Sequence, residues 1–246
     1  MILDTALFEK LAGEMGIELT KRQLCQFCDY YDLLIEWNNK MNLTAITEWE
    51  DVVKKHFIDC LSVILCYDGF SGFEASFSRE TLADIGTGAG FPGIPLKILF
   101  PELSVTLFDS LDKRIRFLNE VIDKLCLQNI SAVHGRVEDL ARNSEYREKF
   151  GIAIARAVAA LPVLSEYCLP FVKKDGVFVA MKSEKALDEL KDSENALKVL
   201  GGKVIMTKSF VLPSTDLGRT IIQVKKEKET PLKYPRKAGT PSKQPL

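Results

Sequence analysis

The segment 82–95 constrains the fold of this chain more than any other part of its sequence. It reads Leu-Ala-Asp-Ile-Gly-Thr-Gly-Ala-Gly-Phe-Pro-Gly-Ile-Pro, so a short apolar run gives way to four glycines and then to a new apolar segment. This pattern is typical of a buried strand, a tight turn and the start of a helix. Glycine accepts positive φ values and lets a ligand come close to the main chain. The segment therefore predicts a strand–turn–helix unit with a ligand at its turn.

Strand and helix patterns alternate after residue 80. The strand candidates are 82–85, 104–108, 130–134, 151–155 and 176–181, and helical patterns separate them at 93–100, 113–126, 160–172 and 184–200. Two further β-rich runs, 203–212 and 219–226, predict a terminal antiparallel hairpin. Alternation of this kind is typical of a parallel sheet with helices on both faces. We expect an α/β, Rossmann-like fold: a mostly parallel seven-stranded sheet with an antiparallel last strand.

The chain divides into three parts. A helical pattern precedes the alternating region, with Thr20 as the expected N-cap of a first helix that stops near Lys40, and Thr47 as the cap of a second helix through Leu61. The segment 67–79 is rich in glycine and serine and predicts a linker. We expect an N-terminal helical extension packed on the core (1–75), a core (76–226) and a basic, proline-rich tail (227–246) that is extended or disordered.

The composition is that of an ordinary globular protein. The chain has 246 residues and is 46% apolar, which is enough for one sizeable domain with an appended element. No apolar run approaches the roughly 18 residues of a membrane span, and the N-terminus has no basic region of a secretory signal. These features predict a cytoplasmic protein without a membrane partner.

The six cysteines contain one Cys-x-x-Cys pair, Cys25 and Cys28. No second pair follows, and the chain has only two histidines. The surrounding pattern is helical, so packing explains the pair better than a structural zinc site does, and we expect no metal.

Charge is distributed unevenly. The net charge of the chain is −1, but residues 225–246 carry seven basic side chains and two acids, which leaves the rest of the chain acidic. Such asymmetry is typical of a protein with a polyanionic partner, and it is also typical of a solubilising terminus. Charge alone does not separate these two interpretations.

The glycine turn fits two cofactors. Gly88, Gly90 and Gly93 match the spacing of a dinucleotide fingerprint, whereas Gly86, Gly88 and Gly90, preceded by Asp84, match motif I of S-adenosylmethionine (SAM) methyltransferases. Asp109 ends the next strand, where an acid binds ribose hydroxyls of either cofactor. A simpler role for that acid is to cap the following helix.

Three features favour SAM. Asp84 can receive the ammonium group of the methionine part of SAM, and it would repel a pyrophosphate. The glycines begin at Gly86, directly after the strand, whereas the dinucleotide match is displaced and has Pro92 inside it. The terminal hairpin fits the last two strands of a class I methyltransferase. A dehydrogenase would also need an acid–base residue, and the two histidines stand in no catalytic context.

The choice of atom that accepts the methyl group can be narrowed by elimination. Methylation of an exocyclic base amine uses an (Asn/Asp)-Pro-Pro-aromatic signature after strand four, where this chain has Ala155-Arg156-Ala157-Val158-Ala159. Methylation of cytosine C5 needs a cysteine nucleophile, and Cys168 lies in a helical pattern. An atom with a free lone pair, such as guanine N7, needs no deprotonation. We therefore expect catalysis by positioning, with no catalytic acid or base.

The chain resembles the 16S ribosomal RNA methyltransferase G family, once called glucose-inhibited division protein B. The similarity covers almost the whole chain and is carried by Trp37-Asn38, Asn42-Leu43-Thr44, His56-Phe57-Ile58-Asp59, the segments 84–95 and 107–118, Arg136-Val137-Glu138 and Arg156-Ala157. A serine is usual in the family where this chain has Cys60. The resemblance implies a class I SAM-dependent enzyme that forms 7-methylguanosine in 16S rRNA of the small ribosomal subunit or its precursor.

The motifs and the resemblance together predict a set of site residues. The cofactor set is Asp84, Gly86, Gly88, Gly90, Phe91, Asp109, Ser110, Val137, Glu138 and Arg156. Within it, Val137 and Glu138 flank the adenine, and Arg156 contacts the cofactor side of the pocket. A salt bridge to Asp84 or Glu138 is the simpler role for Arg156.

Basic residues near the site and in the tail are candidates for RNA contact: Lys113, Arg114, Arg116, Arg236, Lys237 and Lys243. A solvated helix face is the alternative for the first three. His56 is expected to be a core histidine. We expect a monomer. The alternatives to the enzyme are a non-enzymatic RNA-binding or ribosome-assembly factor on a cofactor fold, and an NAD-binding oxidoreductase.

Overall fold

A seven-stranded sheet forms the centre of the molecule, in the order β3-β2-β1-β4-β5-β7-β6. The computed structural model describes residues 3–67, 71–72, 74–75, 80–184 and 186–246. The strands are β1 (Thr81–Ile85), β2 (Ser104–Asp109), β3 (Ile130–His134), β4 (Phe150–Arg156), β5 (Val172–Ser183), β6 (Gly202–Val211) and β7 (Gly218–Lys226). The first five pair in parallel, and β7 lies antiparallel to β5 and β6. The expected α/β fold is confirmed.

Helices cover both faces of this sheet. In chain order they are α1 (Ala6–Glu14), α2 (Lys21–Met41), α3 (Trp49–Val52), α4 (Asp59–Leu61), α5 (Gly93–Leu99), α6 (Asp112–Lys124), α7 (Val137–Leu140), α8 (Leu161–Cys168), α9 (Ala186–Leu200) and α10 (Thr240–Lys243). One hydrophobic core joins α1 to α6 to one face of the sheet, and a second core joins α8 and α9 to the other face. The helices that precede the sheet therefore share a core with it.

The first helices follow the predicted pattern with one exception. Thr20 caps α2: its Oγ1 accepts from the amide of Gln23 (3.3 Å), and Gln23 Oε1 accepts from the amide of Thr20 (2.9 Å). The prediction that Thr47 caps the next helix is wrong, because α3 begins at Trp49 and the Thr47 carbonyl accepts from the Tyr31 hydroxyl (2.8 Å).

A π-helical turn over Val53–Ile58 joins α3 to α4, and no sequence pattern predicted it. A wider turn of this kind changes the direction of the side chains that follow it, and such turns are frequent at functional sites. Most of the predicted linker 67–79 lies outside the described residues.

The C-terminal tail is folded against the core, so the prediction of an extended or disordered segment is wrong. Arg147 donates to the carbonyls of Thr230 (2.6 Å) and Tyr234 (2.9 Å), and Arg142 donates to that of Pro235 (2.5 Å). The prolines and basic residues of the tail were interpreted as an extended or disordered segment. Instead, buried side chains of the core pair with its main chain and with Arg236, as described below.

Candidate active site

The carboxyl ends of β1 and β4 lie side by side at the centre of the sheet, where the strand order reverses. β1 pairs with β2 along one of its edges and with β4 along the other, so the chain builds the sheet outward in both directions from β1. Ligands of open α/β sheets bind at such a switch point. The glycine turn follows β1 there, and Ala157 follows β4 with a φ of 56°, a strained value for a residue other than glycine.

The glycines of the turn have different physical roles. Gly88 has a φ of 61°, and a Cβ atom on it would meet nothing within 4 Å, so its face is open. A Cβ atom on Gly90 would lie 2.4 Å from Ile94 Cδ1, and one on Gly93 would lie 2.8 Å from Asp84 Oδ2. The protein's own packing requires the last two glycines, whereas Gly88 leaves space for a ligand.

Asp84 is fully buried beneath this turn. Its Oδ2 accepts from Thr87 Oγ1 (2.6 Å) and from the amide of Gly93 (2.8 Å). Its Oδ1 is buried without a hydrogen-bond partner among the described residues. Burial raises the pKa of this carboxyl from its ordinary 3.8 to about 7, although both hydrogen bonds oppose the shift. An unpaired carboxylate oxygen of this kind fits the ammonium group of a methionine moiety.

The same contact disfavours a dinucleotide. Pyrophosphate sites of dinucleotide-binding folds use free amides at the start of the helix after the glycine turn. Here the Gly93 amide, at the start of α5, is already bonded to the buried carboxyl of Asp84. A pyrophosphate would compete with that carboxyl for the amide and would be repelled by its charge.

Asp109, at the end of β2, is also buried and bonded. Its Oδ2 accepts from the Gly88 amide (3.0 Å) and from Arg114 (3.2 Å), and its Oδ1 accepts from the Leu111 amide (2.9 Å). The last of these bonds closes a turn before α6, whose N-cap is Leu111 and has no side-chain cap, so the helix-capping role that was the simpler interpretation of this acid is wrong. The carboxylate thereby also ties β2 to the glycine turn.

A cavity of about 300 Å³ opens at this point. Five of the predicted cofactor residues line it: Gly86, Asp109, Ser110, Val137 and Glu138. The other lining residues are Arg114, Arg136, Ala157, Val158 and Tyr167. Sequence reasoning missed Tyr167 and Val158 as site residues: Val158 follows the end of β4, and Tyr167 lies in α8. We refer to this space as the first cavity.

Glu138 carries an unexpected contact. This side chain is buried, and its Oε1 accepts from the main-chain amide of Gly239 in the tail (2.9 Å). The tail is thus bonded to a wall of the first cavity. No sequence pattern relates these two residues, which are 101 positions apart.

A second cavity, of about 450 Å³, lies beside the first and shares Ala157 with it. Arg156 lines this second cavity and is absent from the lining of the first. Its Nη1 donates to Asp59 Oδ2 (2.8 Å), so the expected salt bridge to Asp84 or Glu138 is wrong. Arg219 donates from Nε to Asp59 Oδ1 (2.7 Å). One buried carboxylate therefore holds two guanidinium groups, which it shields from mutual repulsion.

Phe91 contacts a second cluster of side chains, formed by His56, Asp59, Arg156 and Arg219 at the second cavity. The His56 ring stacks on it with a centroid separation of 4.6 Å, and the Arg156 guanidinium lies 5.1 Å from its ring centroid. The side chain predicted to line the cofactor turn thus contacts the second cluster. His56 is buried as expected and bonds Thr44 Oγ1 (2.9 Å), but it also lines the second cavity. Burial, and then Arg156, lower its pKa to about 4, so the ring is neutral near pH 7.

The structure separates the residues proposed for RNA contact into two groups. Arg114 is paired with Asp109 at the first cavity, and Arg236 is paired with fully buried Glu166 through Nη2 and Oε2 (2.6 Å), so both have a partner within the protein, and their contact with RNA stays a prediction. Buried or half-buried acids attract these guanidinium groups more strongly than solvent does. The exposed members are Lys113, Arg116, Lys237 and Lys243, of which Arg116 pairs with Asp112 (2.8 Å).

The cysteine pair gives a mixed result. Cys25 is exposed and Cys28 half-buried, so packing does not explain the first of them. Within the described ranges, no cluster of three or more His, Cys, Asp or Glu side chains could hold a metal ion. Cys168 is buried in α8, as its helical pattern predicted.

Solved structures share the fold at low identity. M. jannaschii TYW2 in complex with AdoMet covers 75% of this chain and 79% of its own, with a TM-score of 0.51 and 16% identity. P. horikoshii TYW2 in complex with MeSAdo covers 70% and 61%, with a TM-score of 0.50 and 12% identity. The sheet order and the site at its switch point define the class I SAM-dependent methyltransferase fold.

Sequence comparison identifies the family. The family model for rRNA small subunit methyltransferase G matches residues 23–217. The curated protein of that name from Lachnoclostridium phytofermentans is 55% identical over 99% of this chain and 98% of its own length. The one from Geobacillus thermodenitrificans is 50% identical over 99% and 100%. This chain belongs to the rRNA small subunit methyltransferase G family.

Proposed function

We propose that this protein transfers a methyl group from SAM to N7 of one guanosine in 16S rRNA, within the small ribosomal subunit or its precursor. The observation that carries the proposal is the pair of cavities that meet at Ala157. One is lined by five of the predicted cofactor residues, and the other is large enough for an unstacked base. Enzymes that act on a nucleobase bind it outside the helix stack in such a pocket.

The first cavity and the glycine turn beside it account for cofactor binding. Asp84 Oδ1 is the acceptor for the ammonium group, and Asp109 lies where ribose hydroxyls bind. Val137 and Glu138 form the wall for the adenine, and the open face of Gly88 lets the ligand approach the main chain. SAM supplies an electrophilic methyl group on a sulfonium sulfur.

The acceptor needs no general base from the protein. Guanine N7 carries a lone pair that forms the new N–C bond, while the electrons of the broken C–S bond stay on sulfur. No proton leaves the base, so the product ring takes the positive charge. His56, whose pKa is lowered to about 4, is neutral and adds no positive charge beside that ring. The protein's task is to align the two groups and exclude water.

The test is methyl transfer to RNA. Tritiated SAM and small subunits from a strain without the gene should give label in 16S rRNA, at a site that aniline cleaves after N7 methylation. A small-subunit RNA with 7-deazaguanosine at that site has C–H in place of N7 and should accept no label. Label on the 7-deaza substrate, or on protein alone, would contradict N7 transfer.

Two alternatives can be separated from the methyltransferase, one by turnover and the other by calorimetry. A ribosome-assembly factor on a cofactor fold would bind the particle without turnover, and the intact Asp84, glycine turn and Asp109 argue against it. An oxidoreductase would bind NADH in calorimetry without binding SAM, and the bond from Gly93 to Asp84 argues against it.

We propose a monomer that acts in the cytoplasm, where ribosomal subunits are assembled. No helix in the described part of the chain is long and apolar enough to cross a membrane. Light scattering coupled to size exclusion would measure the mass in solution, and a dimeric mass would contradict the monomer.

A further inference from the structure

Lys182 and Glu189 form an ion pair in the wall of the second cavity. Lys182 lies near the end of β5 and Glu189 in α9, and Lys182 Nζ is 2.8 Å from Glu189 Oε2. The Lys182 side chain is 12% exposed and that of Glu189 is 29% exposed, so the pair faces the cavity more than the bulk solvent. Neither residue was a candidate from the sequence.

Backbone contacts hold the pair in place. Lys182 Nζ donates to the carbonyl of Ala159 (2.8 Å), and the amide of Leu161 donates to Glu189 Oε2 (2.6 Å). These two anchor points follow Ala157, where the cavities meet. The ammonium group and the carboxylate are therefore both fixed to the segment that follows Ala157.

The pair retains hydrogen-bonding capacity towards the cavity. Glu189 Oε1 takes part in none of the hydrogen bonds or ion pairs of the described residues. Lys182 has three N–H donors, of which two are engaged. Asp59 differs, because both of its oxygens are bonded to arginines. Each oxygen of Asp59 is therefore already engaged by an arginine, whereas the Lys182–Glu189 pair can still bind a ligand.

A donor beside an acceptor matches one nucleobase. Guanine presents N7, O6, N1–H and the N2 amine in order around its edge, so an acceptor atom lies next to two donors. Adenine presents the opposite polarity at the corresponding positions, with a donor amine at C6 and an acceptor at N1. With N7 towards Ala157, O6 would meet the ammonium group and N1–H and N2 the carboxylate.

We propose that the Lys182–Glu189 pair reads the O6, N1 and N2 atoms of the target guanine and selects it against adenine. This inference rests on the proposed function, because it takes the second cavity as the acceptor site. It adds the residues that determine specificity. Paired contacts of this kind discriminate between bases by about 1–3 kcal/mol, or about five- to 150-fold.

The principal variant is Glu189→Gln, which keeps the shape of the side chain and replaces one acceptor oxygen by a donor amine. We expect kcat/KM for 16S rRNA to fall about tenfold or more, with the Kd for SAM in calorimetry unchanged. Lys182→Met, which keeps the apolar stem, should also reduce transfer. The matched control is Glu80→Gln, which removes the same charge from a partly exposed pair with Lys173 (2.7 Å) at the amino ends of β1 and β5, away from the second cavity.

A substituted substrate separates specificity from general damage. Inosine at the target position keeps N7 and O6 but lacks the N2 amine that Glu189 would bind. The wild-type protein should methylate the inosine substrate more slowly than the guanosine substrate, and Glu189→Gln should show a smaller penalty. An equal penalty in both proteins, or wild-type transfer by Glu189→Gln, would overturn the inference. Failure of the wild-type protein to label any rRNA would instead overturn the proposed function.

Discussion

The main-chain amide of Gly93 donates to Oδ2 of Asp84 over 2.8 Å, so one buried carboxyl joins the end of β1 to the start of α5. The contact fixes the glycine turn from below and leaves Oδ1 of the same group without a partner among the described residues. A carboxylate that is half bonded and fully buried is costly in the free protein. A ligand ammonium group at Oδ1 would remove that cost.

Replacing the carboxyl of Asp84 by an amide should therefore separate stability from binding. The amide oxygen that Asp84→Asn introduces can accept both existing bonds, so the free protein should gain about 1 kcal/mol near neutral pH, or about 2–4 °C in Tm. SAM should bind about tenfold more weakly or worse, because a charged hydrogen bond is lost. Calorimetry and thermal unfolding measure the two effects, and exposed Asp123→Asn should change neither.

The affinity for SAM should depend on pH through the same residue. The pKa of Asp84 is about 7 in the free protein, and an ammonium partner requires the ionised form. We expect the Kd for SAM to rise by up to about tenfold per pH unit below about pH 7. Calorimetry between about pH 6 and about pH 8 tests this. A Kd that does not change with pH, or an unchanged dependence in Asp84→Asn, would contradict it.

The stability of the free protein should show the opposite dependence. The folded pKa of Asp84 lies above its ordinary value of 3.8, so the folded state holds the proton more tightly. The stability contributed by this group is complete below its ordinary pKa of 3.8 and is lost as the pH rises through the folded pKa of about 7. The advantage of Asp84→Asn in urea unfolding should therefore grow from acid to neutral pH. An advantage that is the same at every pH would contradict this assignment.

Arg236 should be important for stability rather than for RNA binding. Its guanidinium pairs with Glu166, which is fully buried, so Arg236→Met would leave that carboxylate without its charged partner. We expect a loss of about 3 kcal/mol in the free energy of unfolding, which a second change, Glu166→Gln, should partly restore. The exposed neighbour Lys237→Met is the control and should stay within about 0.5 kcal/mol of the wild type.

The exposed lysines of the tail give a separate prediction for RNA. Lys237→Ala with Lys243→Ala should weaken 16S rRNA binding and lower the slope of log K against log salt by about one per lysine. Filter binding over a salt series measures it. Exposed Lys10→Ala, on α1, should leave the slope unchanged. An unchanged slope in the tail variant would assign the lysines to solubility alone.

The sequence predicted the order of strands and helices because that information is local. Apolar spacing and the turn residues around segment 82–95 are read over ten to twenty neighbouring positions, and each of the predicted strands is present within a few residues. The capping box at Thr20 was visible for the same reason. The π-helical turn over Val53–Ile58 was not, because no local pattern distinguishes it from an α-helix.

Partners across the sheet could not be predicted in this way. Arg156 was expected to pair with Asp84 or Glu138, and its partner is Asp59, 97 positions away. The tail was expected to be extended or disordered, and its backbone bonds Glu138 and Arg147. Charge and composition indicate which groups need a partner, but the pairing depends on which buried group the folded chain brings within reach.

The sequence by itself therefore determined the α/β fold, the position of the glycine turn and the family. Only the tertiary structure decided that Arg156 belongs to the second cavity, that two cavities meet at Ala157, and that Lys182 and Glu189 face one of them. The physical reason is that these groups come from different strands and helices. Their distances are set by strand register and by the packing of helices on the sheet, which are properties of the whole chain.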